Sequence, residues 1–129
     1  MKLKLVKEIV LDYATVRLFN PPLVRIEITK DFVVTAKEAK ELNFIMGDLS
    51  GGKEIRYMLL ANEKTQFDSS SREYTASVEG SQFKKAEALI IRTLAHRLLA
   101  DLYLKINKPP KPVKTFTNEE DGIDWLLTF

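Results

Sequence analysis

Residues 55–91 read IRYMLLANEKTQFDSSSREYTASVEGSQFKKAEALII, and the order of their apolar and polar segments indicates the fold class. The segment opens with a nearly unbroken apolar run, Ile55 to Ala61, and closes with a second one, Ala86 to Ile91. Such runs are typical of strands covered on both faces, as in a parallel sheet. Between them, Ser70-Ser-Arg-Glu73 is a capping box that predicts a helix ending near Gly80. The pattern therefore predicts a strand, a helix and a second, parallel strand.

The sequence before this segment predicts an antiparallel hairpin. Residues 14–19 and 23–29 each alternate between apolar and polar positions. Alternation with period two, rich in β-branched residues, is typical of half-buried strands. Pro21 and Pro22 lie between the two segments, where they favour a turn and cannot donate ladder hydrogen bonds. Residues 4–11 either extend this hairpin or add another strand.

Two of the remaining helices follow from capping signals and helical spacing. Thr35-Ala-Lys-Glu38 is a capping box, and the apolar residues after it predict an amphipathic helix over residues 36–49, which Ser50-Gly-Gly52 ends. Thr93 begins the helix with the clearest apolar periodicity in the chain. We expect its stripe to face inward, and the stripe comprises Leu94, Ala95, Leu98, Leu99, Leu102, Tyr103 and Ile106.

A short strand over residues 112–116 and a last helix complete the predicted order. Thr117-Asn-Glu-Glu120 is a third capping box and opens that helix. Strands that alternate with helices imply right-handed crossovers and a largely parallel sheet. We therefore predict a single domain over residues 1–129, of the α/β class. It has one mixed, mostly parallel sheet of about five or six strands, four helices and an N-terminal antiparallel hairpin.

The composition excludes several classes of function. The chain has 129 residues, of which 45% are hydrophobic, and this is enough for one core. A formal net charge of +2 predicts no nucleic-acid partner, and no apolar run is long enough for membrane insertion. There is no cysteine and one histidine, His96, which we interpret as structural, so neither a metal nor another cofactor is predicted. Met1-Lys-Leu-Lys4 is not followed by the apolar segment of a signal peptide, so we expect a cytoplasmic protein.

Two segments resemble the STAS/SpoIIAA-like domains, which include the anti-anti-sigma factors and are distantly related to lipid-binding CRAL-TRIO domains. In the first, a buried strand is followed by Phe67-Asp-Ser-Ser-Ser71, which is similar to the Asp-Ser-Ser-Gly-Leu motif of the anti-anti-sigma factors. Ser71 and Arg72 stand where that motif has glycine and leucine. The second segment, residues 99–126, resembles the C-terminal half of small uncharacterised members of the family in Bacteroidota. The resemblance implies a SpoIIAA-like sandwich for most of the chain.

The same resemblance singles out one serine. Ser70 corresponds by position to the serine that is phosphorylated in the anti-anti-sigma motif. The residues themselves allow two interpretations, because a serine at a helix start caps backbone N–H groups, whereas a phosphate there is stabilised by the helix dipole and by a neighbouring arginine. The loop also follows the carboxyl end of a predicted parallel strand, where α/β sheets bind ligands. Our candidates for phosphorylation or partner contact are Ser70, Ser69, Asp68, Asn62 and Arg72.

Two functions are compatible with these observations. The first is a non-enzymatic regulatory or protein-interaction module that works through residues 62–73, since no motif assembles a nucleophile, a base and an oxyanion donor. The alternative is a domain that binds a small apolar ligand or lipid, as the relation to CRAL-TRIO domains implies. A cavity between the helix over residues 94–106 and the sheet would favour the alternative, and a fully packed core would count against it. We also predict a homodimer, because the hairpin leaves a strand edge to be covered.

Overall fold

A computed structural model describes residues 3–129. Met1 and Lys2, with which the segment considered as a signal peptide begins, lie outside the described residues. The regular elements that it contains follow in chain order. They are β1 (Lys4–Val10), β2 (Ala14–Asn20), β3 (Leu23–Ile28), β4 (Val33–Val34), α1 (Ala36–Leu49), β5 (Ile55–Ala61), β6 (Gln66–Phe67), α2 (Ser69–Ala76), α3 (Val78–Ser81), β7 (Lys84–Ile90), α4 (Leu94–Leu102) with a π-helical turn (Tyr103–Asn107), β8 (Val113–Phe116) and α5 (Glu119–Leu126).

The main sheet of the described residues has six strands in the order β1-β2-β3-β5-β7-β8. The pairs β1–β2 and β2–β3 are antiparallel, whereas β3–β5, β5–β7 and β7–β8 are parallel. The predicted α/β class and the N-terminal hairpin are therefore confirmed, and β1 adds a strand to that hairpin. A short parallel pair, β4–β6, lies apart from the main sheet.

Helices cover both faces of the sheet, which explains the apolar runs in β5 and β7. On one face, α1, α2 and α4 pack over side chains such as Ile26, Tyr57 and Leu89. On the other, α5 packs its buried Leu126 against Met58, Ala88 and neighbouring residues. Because β5 and β7 are buried on both sides, apolar residues are favoured at most of their positions and the period-two signal is lost.

The pairing of β5 with β7 contains one irregularity. Ile55 pairs with Lys84, but the next residue of β5, Arg56, pairs with Ala86, so Lys85 is an extra residue in β7. An extra residue in one strand changes which face the following side chains occupy. As a result Lys84 and Glu87, which are separated by an odd number of positions, both lie on the side of the sheet that α4 covers.

The outer edge of the sheet is formed by β1. Most of its residues are exposed, and its pairing with β2 shifts register between Leu5 and Lys7. Lys4 and Lys7 are charged and exposed on this strand. Charged residues and register irregularities are common on sheet edges that are not paired with another strand.

Two of the predicted helix starts are wrong by one or two residues. The helix predicted from the box at Ser70 begins at Ser69 instead, and the Asp68 carboxylate is its N-cap, accepting from the backbone of Ser71. This helix ends at Ala76, and Ser77 caps the separate short helix α3. The last helix is capped by Asn118 and not by Thr117. In both cases an Asp or Asn beside the predicted Ser or Thr caps the helix, in line with the preference of N-caps for these residues.

The predicted capping of α4 by Thr93 is confirmed, but only part of its predicted inward stripe faces inward: Tyr103 is buried and Leu99 lines the cavity, whereas the other members are exposed. Leu94 is 72% exposed and Ile106 is 71% exposed, and Leu98 and Leu102 are exposed with them. The buried residues of this helix and its π-helical turn are His96, Ala100 and Tyr103. His96 and Tyr103 each have a hydrogen-bond partner in a distant part of the chain, so their polar atoms are satisfied although the side chains are buried.

Candidate functional site

A cavity of about 120 Å³ lies between the sheet and the helices α1, α2 and α4. Its walls are largely apolar, and their aliphatic and aromatic side chains include Ile26, Leu42, Met46, Leu59, Phe67 and Leu99. The cavity is close in size to the roughly 150 Å³ apolar cavity that accommodates benzene in an engineered protein. A few polar side chains interrupt the apolar wall, and their arrangement decides what the cavity can hold.

A buried ion pair forms one part of the wall. Lys84 Nζ donates to Glu87 Oε2 at 3.0 Å, and the two side chains are only 3% and 2% exposed. The hydroxyl of Tyr103 donates to the other carboxylate oxygen, Glu87 Oε1, also at 3.0 Å. Burial, followed by the negative charge of Glu87, raises the pKa of Tyr103, so its hydroxyl keeps its proton and donates.

Tyr57 completes this cluster from β5. The Lys84 ammonium lies over its ring, 4.6 Å from the centroid, in cation–π geometry. Burial raises the pKa of Tyr57 well above its usual value, and the charge of Glu87 raises it further. The Lys84 charge is therefore balanced by one carboxylate and one aromatic face, and both phenols stay neutral.

His96 forms another part of the wall, at the first turn of α4. Its Nε2 lies 3.1 Å from the carbonyl oxygen of Thr65, which can only accept, so Nε2 carries the hydrogen. Thr65 is itself buried and donates its hydroxyl to the Lys30 carbonyl at 2.7 Å. The predicted structural role of His96 agrees with this contact, although its burial is deeper than the sequence indicates.

Asn43 and Arg72 line the cavity, and each has one buried polar atom without a partner among the described residues. Asn43 is 7% exposed and donates from Nδ2 to the Tyr74 hydroxyl at 3.1 Å and to the Glu79 carbonyl at 3.2 Å. Since a carbonyl only accepts, these contacts fix the amide orientation and leave Asn43 Oδ1 without a partner among the described residues. Arg72 donates from Nη1 to the Phe67 carbonyl, but its buried Nε also has no partner there.

The serine loop is an organised junction between two helix starts. Ser70 Oγ accepts from the backbone N–H of Ala36, the first residue of α1, and donates to Asp68 Oδ1 at 2.7 Å. The same carboxylate oxygen accepts from the backbone of Ser71 at 2.8 Å. The hydrogen bond from Ser70, and next the one from Ser71, lower the pKa of Asp68, so the cap remains ionised. Ser70 therefore links the two helices.

The five candidates from the sequence thus occupy different places. Arg72 lines the cavity, together with the buried Ser71, which was not among the five. Asp68 and Ser70 belong to the helix junction, and Ser69 is exposed beside them. Asn62 stabilises the loop after β5, because its Nδ2 donates to the Thr29 carbonyl at 2.8 Å.

The sequence analysis missed the polar residues that mark the cavity. Glu87 was assigned to an apolar strand and Tyr103 to an apolar stripe, and Lys84 lies just outside that predicted strand. One signal was available, since Glu87 brings a charge into the otherwise apolar run from Ala86 to Ile91. A charged residue in a doubly covered strand needs a buried partner.

Residues 3–129 contain no group of three or more His, Cys, Asp or Glu side chains placed to hold a metal ion. None of the helices in this part of the chain combines the length and the apolarity that a membrane span requires.

Comparison with known proteins places the domain in the SpoIIAA-like fold. The chain is similar to the crystal structure of an uncharacterised protein from the DUF3478 family with a SpoIIAA-like fold, from Shewanella loihica PV-4. The TM-score is 0.56 at 10% sequence identity, and the match covers 98% of this chain and 96% of the other. At this identity the likeness shows the fold alone, and it confirms the resemblance drawn from the sequence. No curated protein is significantly similar to the sequence.

The chain belongs to the family described as a domain of unknown function, DUF7793, whose model matches residues 20–129. The matched residues include β3 and every later element, and therefore the whole of the cavity wall.

Proposed function

We propose that this domain binds a compact, largely apolar small molecule in the cavity between the sheet and α1, α2 and α4. The observation that carries the proposal is the cavity itself, whose apolar wall is interrupted by a few polar side chains. Small-molecule sites commonly combine apolar walls with a small number of polar groups that orient the ligand. The cavity lies between the sheet and α4. A cavity at this position was the feature expected to favour ligand binding over a protein-interaction module.

The buried ion pair supports the same function. Removing Lys84 and Glu87 from water is costly, and well-packed apolar residues of similar volume are often as stabilising. Helix–sheet packing alone gives no reason for two charges at this position. Clusters of buried charges beside a cavity are more common at binding and catalytic sites than elsewhere in a core.

A titration with toluene tests the proposal directly. The two methionines on opposite faces of the sheet are matched probes, because Met46 lines the cavity and the equally buried Met58 packs on the α5 side. We expect toluene to shift the methyl NMR signals of Met46 and of Leu99 while that of Met58 stays in place. A saturable shift at Met46 would support the proposal, and an unchanged spectrum would contradict it.

A cavity-filling variant provides the second part of the test. Ala100 is buried in the cavity wall, so Ala100→Leu should abolish the toluene shift without unfolding the protein. The matched control is Ala95→Leu, which adds the same atoms to an exposed position of the same helix. Toluene binding that survives Ala100→Leu would place the ligand outside the cavity and overturn the assignment.

A second proposal is that the domain is a protein-interaction module whose partner is a second copy of the chain. The observation that favours it is the exposed apolar face of α4, which is formed by Leu94, Leu98, Leu102 and Ile106. In an antiparallel pair of these helices, Leu98 would face Leu102 of the partner subunit. The face therefore matches its own copy in apolar spacing.

Sedimentation of a charged variant tests this second proposal. Leu98→Glu should dissociate such a dimer, whereas Val78→Glu is the control because it introduces the same charge at an exposed apolar residue of α3. A monomer at high concentration for the unmodified protein would refute the proposal. The regulatory role predicted for the loop over residues 62–73 stays a prediction, and a phosphate on Ser70 in protein from its own host would support it.

A further inference from the structure

Arg72 is the charged residue of the cavity wall whose hydrogen bonds are least complete. Its Nη1 donates to the Phe67 carbonyl, a neutral group, and its buried Nε has no partner among the described residues. None of the ion pairs in this part of the chain includes Arg72. A buried guanidinium nitrogen without an acceptor is costly, and a carboxylate is the acceptor that fits the guanidinium geometry.

The carboxylate of Asp68, the cap of the same helix, is already engaged. The charges of Asp68 and Arg72 interact, because Arg72 contributes to the lowered pKa of Asp68. However, Asp68 Oδ1 accepts from Ser70 Oγ and from the backbone of Ser71, and not from Arg72. Asp68 therefore acts as the cap of α2 and does not satisfy Arg72 Nε.

The remaining charges of the wall cancel each other. Among the described residues, three Arg, Lys, Asp or Glu side chains line the cavity. Lys84 and Glu87 form an ion pair with each other, and Arg72 is the remaining charged residue. Both oxygens of Glu87 are occupied, one by Lys84 and the other by Tyr103. The wall thus has an excess of one positive charge, and this charge is on Arg72.

We propose that the natural ligand is a small apolar monocarboxylate whose carboxylate pairs with the Arg72 guanidinium while its hydrocarbon part fills the cavity. This inference rests on the proposed function, since it names the ligand class for the same cavity. The carboxylate would give the Arg72 guanidinium the ion-pair partner that it lacks among the described residues, and it would supply the negative charge that the wall lacks. A cavity of about 120 Å³ has room for a hydrocarbon part of roughly the size of a benzene ring.

Three isosteric probes test the charge of the ligand on the unmodified protein. Benzoate, benzamide and benzamidine share one shape and number of non-hydrogen atoms, and near neutral pH they are anionic, neutral and cationic. We expect calorimetric titration to give benzoate a Kd about tenfold or more below that of benzamide, because the charge-assisted pair is formed only by the anion. Benzamidine should bind more weakly than either.

A variant then locates the charge effect. In Arg72→Gln we expect benzoate to lose its advantage over benzamide, and in the exposed control Arg92→Gln we expect it to keep that advantage. Equal affinities for benzoate and benzamide in the unmodified protein, or an advantage that survives Arg72→Gln, would overturn the monocarboxylate inference. If the monocarboxylate inference fails but toluene still shifts the Met46 methyl signal, the proposal that the cavity binds an apolar molecule is retained. If toluene leaves the Met46 signal unchanged, both proposals fail.

Discussion

Lys84 and Glu87 form an ion pair from the same face of one strand although they are three positions apart. Side chains in a regular strand alternate between faces, so residues separated by an odd number of positions lie on opposite sides. The extra residue Lys85 changes this alternation. The Lys84 ammonium and the Glu87 carboxylate lie 3.0 Å apart, and both side chains are almost fully buried. The charge cluster of the cavity therefore depends on a feature of the backbone.

The ion pair should be more sensitive to the loss of one member than to the loss of both. Lys84→Met leaves Glu87 buried without its counter-charge, and we expect a loss of about 3–5 kcal/mol in the free energy of unfolding. The double variant Lys84→Met with Glu87→Met should lose less than Lys84→Met alone, because no unpaired charge remains. Urea unfolding of the single and double variants measures both values, and additive losses would contradict the expectation.

The helix junction at Ser70 should contribute measurable stability. Ser70→Ala removes the acceptor for the Ala36 N–H and the donor to Asp68, and we expect a loss of about 1 kcal/mol. Ser69→Ala is the matched control, since Ser69 is exposed one residue away, and its effect should be close to zero. Thermal unfolding compares the two. Equal melting temperatures would mean that Ser70 does not link the helices.

Acidification should weaken the contact between the hairpin and α5. The hydrogen bond from Arg25 lowers the pKa of Glu119, and the Arg25 Nε–Glu119 Oε1 distance is 2.7 Å. A carboxyl whose pKa is lowered by folding contributes stability above its unfolded pKa, about 4.3, and this contribution is lost as the pH falls towards the folded value. Since the pair is partly exposed, we expect the contribution to be below about 1 kcal/mol.

Comparison of the unmodified protein with Glu119→Gln isolates that contribution. The variant should be slightly less stable at neutral pH, and the difference should shrink as the pH falls below about 4.3 and disappear below the lowered pKa of Glu119. Glu120→Gln is the control because Glu120 is exposed in the same turn of α5 and takes part in none of the ion pairs found in residues 3–129. A difference that stays constant with pH would exclude a role for the ionised Glu119.

The position of Gly80 leaves no space for a side chain. A Cβ on Gly80 would lie 1.9 Å from the carbonyl oxygen of Tyr74, which belongs to the backbone and cannot rotate away. We expect Gly80→Ala to cost about 3 kcal/mol in unfolding free energy. Gly47→Ala should cost less, because its Cβ would meet the end of the Phe83 ring, which can move. Chemical unfolding that ranks the two variants in the opposite order would refute this account.

Local signals allowed much of the fold to be predicted from the sequence. The capping box of Thr35 and Glu38 is present as predicted, because both of its hydrogen bonds join residues within one turn. The start of α2 was misplaced because Ser70 and Asp68 are both capable N-caps. The Ala36 N–H, which engages Ser70, comes from a distant helix, and sequence spacing does not record such a contact.

The cavity could not be predicted, for a related reason. The buried side of α4 and its π-helical turn carries two polar residues, His96 and Tyr103, whose partners Thr65 and Glu87 are far away in the chain. The register shift at Lys85 has no local sequence signal, yet it determines which side chains reach the cavity. Arg72 was identified from its position beside the serines, but its contact with the cavity became evident only from the packing of α2.

The edge strand β1 has a consequence for the behaviour of the protein at high concentration. An incoming strand needs a straight row of free N–H and C=O groups, and the shift between Leu5 and Lys7 interrupts that row. The lysines of β1 would also repel an identical strand laid beside it. Concentrated solutions should therefore resist the growth of cross-β filaments from this edge, so self-association would have to occur elsewhere on the molecule.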